Sequence, residues 1–175
     1  MKKIFFIVAV AAPFFLASCG GNKTAEETAD TTTMDNTLPE VTAPLPAADT
    51  AVSNTIELTG NDQLKFSKTE IRVKAGEQVT LTLKNVGTMP KEAMGHNFIL
   101  LKPATDIEQF SMKAAASQAT AYIPEDLKTA VLANTKVLGP GESDTITFTV
   151  PKGEYEFICS FPGHWASMRG KLIAL

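Results

Sequence analysis

Histidine occurs only twice in the 175 residues, at His96 and His164, and cysteine only twice, at Cys19 and Cys159. Two histidines can complete one metal site and leave none for a second, catalytic metal. Two cysteines exclude a disulfide framework and permit one bridge at most, Cys19–Cys159, the first expectation for an exported chain. The N-terminal apolar run, Ile4 to Leu16, has 13 residues, too few for a spanning helix, which needs about 20. An excess of positive charge is also missing. Net charge is −3, and residues 54–175 carry 13 basic and 13 acidic groups. That excludes the phosphate neutralisation behind nucleic-acid binding and makes long-range steering of any partner weak.

Lys2 and Lys3 precede the apolar run, giving the basic and apolar regions of a secretory signal. The run ends Leu16-Ala17-Ser18-Cys19 before Gly20. This tetrapeptide resembles the bacterial lipoprotein box, in which the cysteine is lipidated and becomes the mature N-terminus. Residues 1–18 are therefore expected to be a lipoprotein signal peptide, with Cys19 the lipidation site; an ordinary cleaved signal is the alternative. Attachment would then be by acyl chains, of which stable anchoring needs more than one. Gly20 lacks the acidic inner-membrane retention signal, which points to the outer membrane, at the periplasmic face or elsewhere in the cell envelope. Lipidation would also leave Cys159 as the only side-chain thiol of the fold, a liability in an oxidising compartment unless something occupies it.

From Gly20 to Ser53 there are eight Thr, three Pro, six acidic residues, one basic residue and no aromatic residue. Such a segment cannot bury enough apolar area to offset its ordering entropy. Residues 19–53 are thus expected to be the lipidated cysteine and a disordered acidic tether, reaching roughly 30–35 Å on average and about 110 Å when stretched.

Residues 54–175 read as one domain. Short β-rich runs recur at turn-punctuated intervals: Thr55–Leu58, Gln63–Phe66, Glu70–Lys74, Gln78–Lys84, Ser143–Val150, Gly153–Cys159 and Lys171–Ala174, most of them alternating between apolar and polar residues, and Asn97–Leu101, a mostly apolar run expected to be buried. This pattern predicts a β-sandwich or barrel. From Thr105 to Ala133 the pattern changes to helical, with Ile107, Phe110, Ala114 and Ala115 sharing a face; Pro124 interrupts it, and Glu125 to Ala133 is expected to form a second short turn. Thr105 is the expected cap, Glu108 completes a capping box, and Met112 is expected to pack. The insertion should lie outside the sandwich as a flap.

The strand ending at Cys159 runs into Cys159-Ser160-Phe161-Pro162-Gly163-His164-Trp165-Ala166-Ser167-Met168. Thiolate, imidazole and thioether lie within ten residues, and Gly95-His96-Asn97 supplies the only other histidine. One Cys, two His and a weak Met form the blue-copper ligand set. A soft and borderline mixture of this kind compromises between Cu(I) and Cu(II), so little has to move when the oxidation state changes. Gly95 lacks a Cβ, so its carbonyl could face the metal opposite Met168; a simple backbone bend is the alternative. Asn97 and Ser160 are the candidates for hydrogen bonds tying the two ligand loops together. Zinc on Cys plus two His and a Cys–His catalytic pair are the rival uses of these side chains. Zinc sites rarely bring in Met, and nothing marks an orienting partner for a catalytic pair.

These residues resemble azurin, a blue-copper cupredoxin. The likeness runs from about Gly60 to Leu175. It is carried by Gly60-Asn61-Asp62-Gln63 with Phe66, by Pro90-Lys91 through Met94-Gly95-His96-Asn97, by Asn134-Thr135-Lys136 with Gly139, and by the Cys-x₄-His-x₃-Met loop through Arg169-Gly170. The resemblance implies an all-β fold, an eight-stranded Greek-key cupredoxin sandwich with a helical flap. It implies one type 1 copper ion on His96, Cys159 and His164, with Met168 and the Gly95 carbonyl as weak axial groups. It also implies docking through an apolar patch at Leu64, Met89, Ala93, Met94, Phe161, Pro162 and Ala166, to which Trp165 is an addition. The chain departs from the family by lacking its disulfide and by placing Asn85 where a pH-responsive histidine is found. Asn134 and Phe98 replace a surface histidine and a core tryptophan.

The expected function is a monomeric one-electron carrier, not an enzyme, cycling Cu(II)/Cu(I) between redox proteins such as cytochromes or membrane oxidoreductases. The lipid anchor confines its diffusion near the membrane. The alternative is a copper buffer or delivery protein, to which Met89, Met94, Met112 and Met168 lend slight support. Copper oxidase or reductase activity fails for want of further histidines.

Overall fold

The computed structural model describes residues 51–175; the expected signal peptide, Cys19 and the tether up to residue 50 lie outside the described residues. Nine strands are described: β1 (Thr55–Asn61), β2 (Lys65–Phe66), β3 (Glu70–Val73), β4 (Gln78–Asn85), β5 (Ile99–Leu101), β6 (Val131–Asn134), β7 (Ser143–Thr149), β8 (Gly153–Ile158) and β9 (Arg169–Ala174). Period-2 alternation makes most of them, whereas β5 is apolar and buried along its whole length. In β4, Val79, Leu81 and Leu83 point inward and are fully buried, while the intervening Thr80 and Thr82 face outward, as a pleated strand requires. The strands form two mixed sheets, ordered β2-β1-β4-β7 and β3-β9-β8-β5-β6. Their inner faces meet in one core, where Phe98 stacks on Phe157 at 5.3 Å between ring centres and Phe66 lies 5.7 Å from Phe157. Each such ring contributes about 1.5–3 kcal/mol by burial.

Eight of these strands overlap the eight runs read from the sequence, with β1, β4 and β9 reaching one to three residues beyond them. The ninth, β6, falls in the stretch expected to be helical. It is an edge strand of four residues with only Val131 and Ala133 turned inward. That is too short a period to stand out, and its hydrogen bonds come from β5 across a register shift at Leu100/Leu101. Pro124 divides the flap as expected, with a 3₁₀ turn at Glu125–Ala130 beyond it; α1 lies at Lys91–Met94, and the helix of the flap is α2 at Ile107–Ala115. Its cap is Asp106, whose carboxylate accepts from the Gln109 N–H at 2.9 Å, not Thr105, whose hydroxyl donates back to the Lys102 carbonyl at 2.7 Å. With the cap one residue later, Glu108 cannot complete a capping box. Phe110 and Ala114 are buried, whereas Ala115 turns outward and Met112 is 63 % exposed rather than packed.

One register positions the site. β5 and β8 are antiparallel, with Ile99 opposite Ile158. Continuing it by two residues sets Asn97 opposite Ser160, so His96, 63 residues before Cys159 in sequence, reaches the same end of the sandwich. At the start of the described chain, Val52 bridges to Arg72 and the Ser53 N–H donates to the Arg72 carbonyl at 3.0 Å. The pairing therefore starts ahead of residue 54, where the composition changes.

Candidate metal centre

His96 enters the site from the bend between α1 and β5. Its backbone exchanges two hydrogen bonds with Leu138, at 3.1 and 2.7 Å, which holds the residue before its ring makes any contact. Nε2 lies 3.1 Å from the Asn61 carbonyl. A carbonyl only accepts, so Nε2 carries the hydrogen and Nδ1 presents a lone pair. That Nδ1 is buried and has no partner among the described residues.

Cys159 closes the opposite loop through its own N–H, which donates to the Met168 carbonyl at 2.9 Å. Within the loop the N–H groups of Ser167 and Met168 both donate to the His164 carbonyl, and the His164 N–H donates to Phe161. Gly163 takes φ +81° at the turn, a conformation glycine adopts without a Cβ clash. The folded loop brings His164 Nδ1 to 3.6 Å from the Cys159 sulfur. One ring nitrogen from each histidine and the sulfur all lie within 4.8 Å of one another, and the two rings sit 5.1 Å apart. All three side chains are buried.

Burial controls the electrostatics. Desolvation pushes the Cys159 thiol up to about 11, although the backbone N–H groups of Asn97 and Phe161, which point at the sulfur, oppose the rise. Desolvation pulls His164 down to about 4, helped by the neighbouring His96, and holds His96 below its ordinary range against the pull of the Asn61 carbonyl. Both imidazoles are therefore neutral ligands at physiological pH. An orphaned nitrogen lone pair, a second neutral imidazole and a thiol on one small volume fit a soft-to-borderline metal ion. The profile of the copper binding proteins of the plastocyanin/azurin family matches residues 52–174.

The chain belongs to that family. It is 42% identical to the azurin of Bordetella pertussis over 135 residues, covering 74% of this chain and 87% of that one. It is 41% identical over 117 residues to the outer membrane protein H.8 of Neisseria meningitidis serogroup B, covering 64% of this chain and 62% of that one. Among solved structures, dithionite-reduced auracyanin from Roseiflexus castenholzii matches with a TM-score of 0.64 and 35% identity, over 71% of this chain and 99% of that one. The fold is the cupredoxin sandwich, the cofactor is copper, and the function is blue-copper electron transfer.

Around the cupredoxin cluster, Met168 is fully buried. A Cβ added to Gly60 would lie 3.2 Å from its Cε and 3.1 Å from His96 Cδ2, so the thioether and the ring flank the same glycine. At Gly95 a Cβ would meet Val137 Cγ1 at 2.7 Å and the Lys91 carbonyl at 2.8 Å. Close approach, rather than an unusual φ, makes glycine necessary there. Asn97 and Ser160 bridge the two loops: the Ser160 N–H donates to Asn97 Oδ1 at 2.8 Å and Asn97 Nδ2 donates to Ser160 Oγ at 2.9 Å. Asn85 donates to the Leu138 carbonyl at 3.0 Å and accepts from the Gly87 N–H at 2.8 Å, a neutral amide bonded on both sides.

The residues expected to form a surface patch divide by exposure. Met89, Ala93, Pro162 and Ala166 are exposed, and Leu64, Met94 and Trp165 are half-buried. Phe161 is a correction: at 6 % exposure it lies beneath the surface, because its ring packs against Tyr122 at 5.0 Å and His164 at 4.7 Å. Three contributors carried no signal as functional residues. Asn61 acts through its carbonyl, which any residue has. Asp62 holds the Met89 loop by accepting from the Thr88 N–H at 2.8 Å and hydroxyl at 2.9 Å, bonds that also keep its carboxyl below the usual range. Tyr122 reaches the site from the flap.

Proposed function

We propose that the chain is a membrane-tethered one-electron carrier. In it His96, Cys159 and His164 would hold one type 1 copper ion, with the Met168 thioether and the Gly95 carbonyl as further, weak donors. The observation that carries this reading is the orphaned Nδ1 of His96, a buried acceptor facing a thiol and a second imidazole. When bound, copper supplies a one-electron Cu(II)/Cu(I) couple. The chain's own residues hold the donors still. The Leu138 pairing fixes His96, the Asn97–Ser160 pair locks one loop to the other, and the Met168 carbonyl closes the loop behind Cys159. Donors that cannot shift keep the reorganisation on electron transfer small.

Burial of every donor favours retention over release, and that weighs against a buffer or delivery protein. His164, 4 % exposed, is the donor beside Pro162, Trp165 and Ala166. Electrons would pass there, to cytochromes or membrane oxidoreductases docked on Leu64, Met89, Ala93, Met94, Pro162, Trp165 and Ala166, with Phe161 as the floor under them. The domain's charge neutrality supports docking by apolar contact, and the carrier works as a monomer. A signal at 1–18, a lipidated Cys19 and a tether to residue 53 would anchor domain 54–175 at the envelope. The lipoprotein box and a relative named as an outer membrane protein support this arrangement.

An absorption spectrum of the copper-loaded, oxidised protein tests the centre. An intense visible thiolate-to-copper band is expected, and a loaded protein without it refutes the assignment. Slower electron self-exchange in Trp165→Ala supports the docking patch, and an unchanged rate removes Trp165 from it.

A further inference from the structure

The flap contains two consecutive residues in the left-handed region, Ala121 at φ +56° and Tyr122 at φ +62°. Every residue but glycine pays for that conformation through its Cβ, and neither position is glycine. The turn is held by its own bonds. The Tyr122 N–H donates to the Ser117 carbonyl at 2.9 Å, and the Thr120 hydroxyl lies within bonding distance of the carbonyls of Ser117 and Ile123. Strain retained in this way points to a task for the residues that carry it.

Each member of the pair touches a different part of the metal centre. The Ala121 carbonyl accepts from Asn97 Nδ2 at 3.2 Å. The Tyr122 ring, 8 % exposed, packs edge-on against Phe161 at 5.0 Å and 65°. Asn97 and Phe161 are the two residues whose backbone N–H groups point at the Cys159 sulfur. The pair thus grips, by a hydrogen bond on one side and an aromatic contact on the other, both donors to the thiolate. Relaxing either residue to ordinary backbone angles would turn the carbonyl or the ring away.

We propose that Ala121 and Tyr122 are positioning residues that hold the Asn97 and Phe161 N–H groups on the Cys159 sulfur and thereby set the reduction potential of the centre. This rests on the copper ligation argued above. Hydrogen bonds to a thiolate draw charge from it and favour the reduced metal. Loss of the grip lowers the potential and shifts the thiolate-to-copper band.

The test compares Tyr122→Ala, Tyr122→Phe and Val73→Ala in copper-loaded protein by voltammetry and absorption. Val73 is fully buried in β3 and pairs with Ala174 at the far end of the sandwich. Tyr122→Ala should lower the potential and shift the band, Tyr122→Phe should keep the wild-type values, and Val73→Ala should lose stability with the potential unmoved. A folded Tyr122→Ala protein with wild-type potential and band overturns the proposal. So does a Val73→Ala protein that shifts the potential as far, since the effect would then follow stability alone. If Tyr122→Ala does not fold, Tyr122→Leu takes its place under the same criteria. Backbone amide resonances of the copper-free protein separate this inference from the copper reading. Movement of Asn97 and Phe161 in the Tyr122 variant supports the grip even where the wild type lacks a blue band, and unmoved resonances refute it.

Discussion

Lowering the pH should weaken metal loading by one decade per unit over a wide and unusual range. Metal binding requires a thiolate and two neutral imidazoles. With the Cys159 thiol near 11 and His164 near 4, and His96 also held below 6.5 by burial, the copper-free site at pH 7 carries one proton to be displaced. That proton costs about four decades in affinity relative to a preformed thiolate, the distance from pH 7 to about 11. The apparent association constant should rise tenfold per pH unit from about pH 7 to about pH 9, with one proton released per ion. The slope should approach three only below the imidazole range, near pH 4. Ordinary ligands would behave differently. Imidazoles at 6.5 would bring the release towards three protons already at pH 5.5. Chelator competition at each pH gives the slope, and an indicator dye in weak buffer counts the protons. A release of two or more protons per copper at pH 5.5–6 refutes the claim that burial has emptied the imidazoles of protons.

The same groups shape the stability of the copper-free protein. Between pH 6.5 and about 4 the unfolded chain binds protons that the folded imidazoles refuse, so stability falls with falling pH. Between pH 9.0 and about 11 the unfolded thiol loses a proton that the folded one keeps, so stability falls with rising pH. Urea midpoints should therefore peak on a plateau between about pH 6.5 and 9; a midpoint still rising above pH 9.5 contradicts this. Gly60→Ala places a methyl 3.1 Å from His96 Cδ2 and 3.2 Å from Met168 Cε. The ring is tied to Asn61, so the thioether yields, at a cost of about 1–3 kcal/mol. Thermal unfolding should drop and the visible band should shift; an unchanged melt and spectrum would mean the glycine is not needed there. Asn97→Leu keeps the volume but strands the buried Ser160 N–H and the Ala121 carbonyl, a loss of about 3 kcal/mol. A denaturant series in the copper-free protein checks it, and a loss below about 1 kcal/mol would show that water replaces the amide.

Much of the candidate metal centre was legible in the sequence because three of its candidate donors lie on one loop. Cys159, His164 and Met168 are separated by spacings that a single turn spans, and only one other histidine exists to complete the set. The strands were legible wherever alternation lasted long enough, as in Gln78–Lys84. The failures share a cause. β6 is a strand because β5 lies beside it, and four residues of Val-Leu-Ala-Asn hold no such instruction. Asp106 rather than Thr105 caps α2 because the helix starts one residue later, a choice two adjacent cap-forming side chains leave open. Phe161 was read as surface because the family resemblance implied a docking patch there, and its direction depends on how the loop closes.

What the chain alone determined is the chemistry on offer at the site: the Cys159 thiol, two imidazoles, the Met168 thioether, and an alternating pattern that must bury one face. Tertiary structure decided how these meet. The β5–β8 register sets Asn97 beside Ser160 and so carries His96 to Cys159. The Asn61 carbonyl selects which imidazole nitrogen is left bare. Two backbone N–H groups, from Asn97 and Phe161, reach the sulfur, and a left-handed pair in the flap holds both residues. Backbone donors and acceptors are common to every residue, so no side-chain pattern announces them, and only the folded path of the chain determines which ones converge.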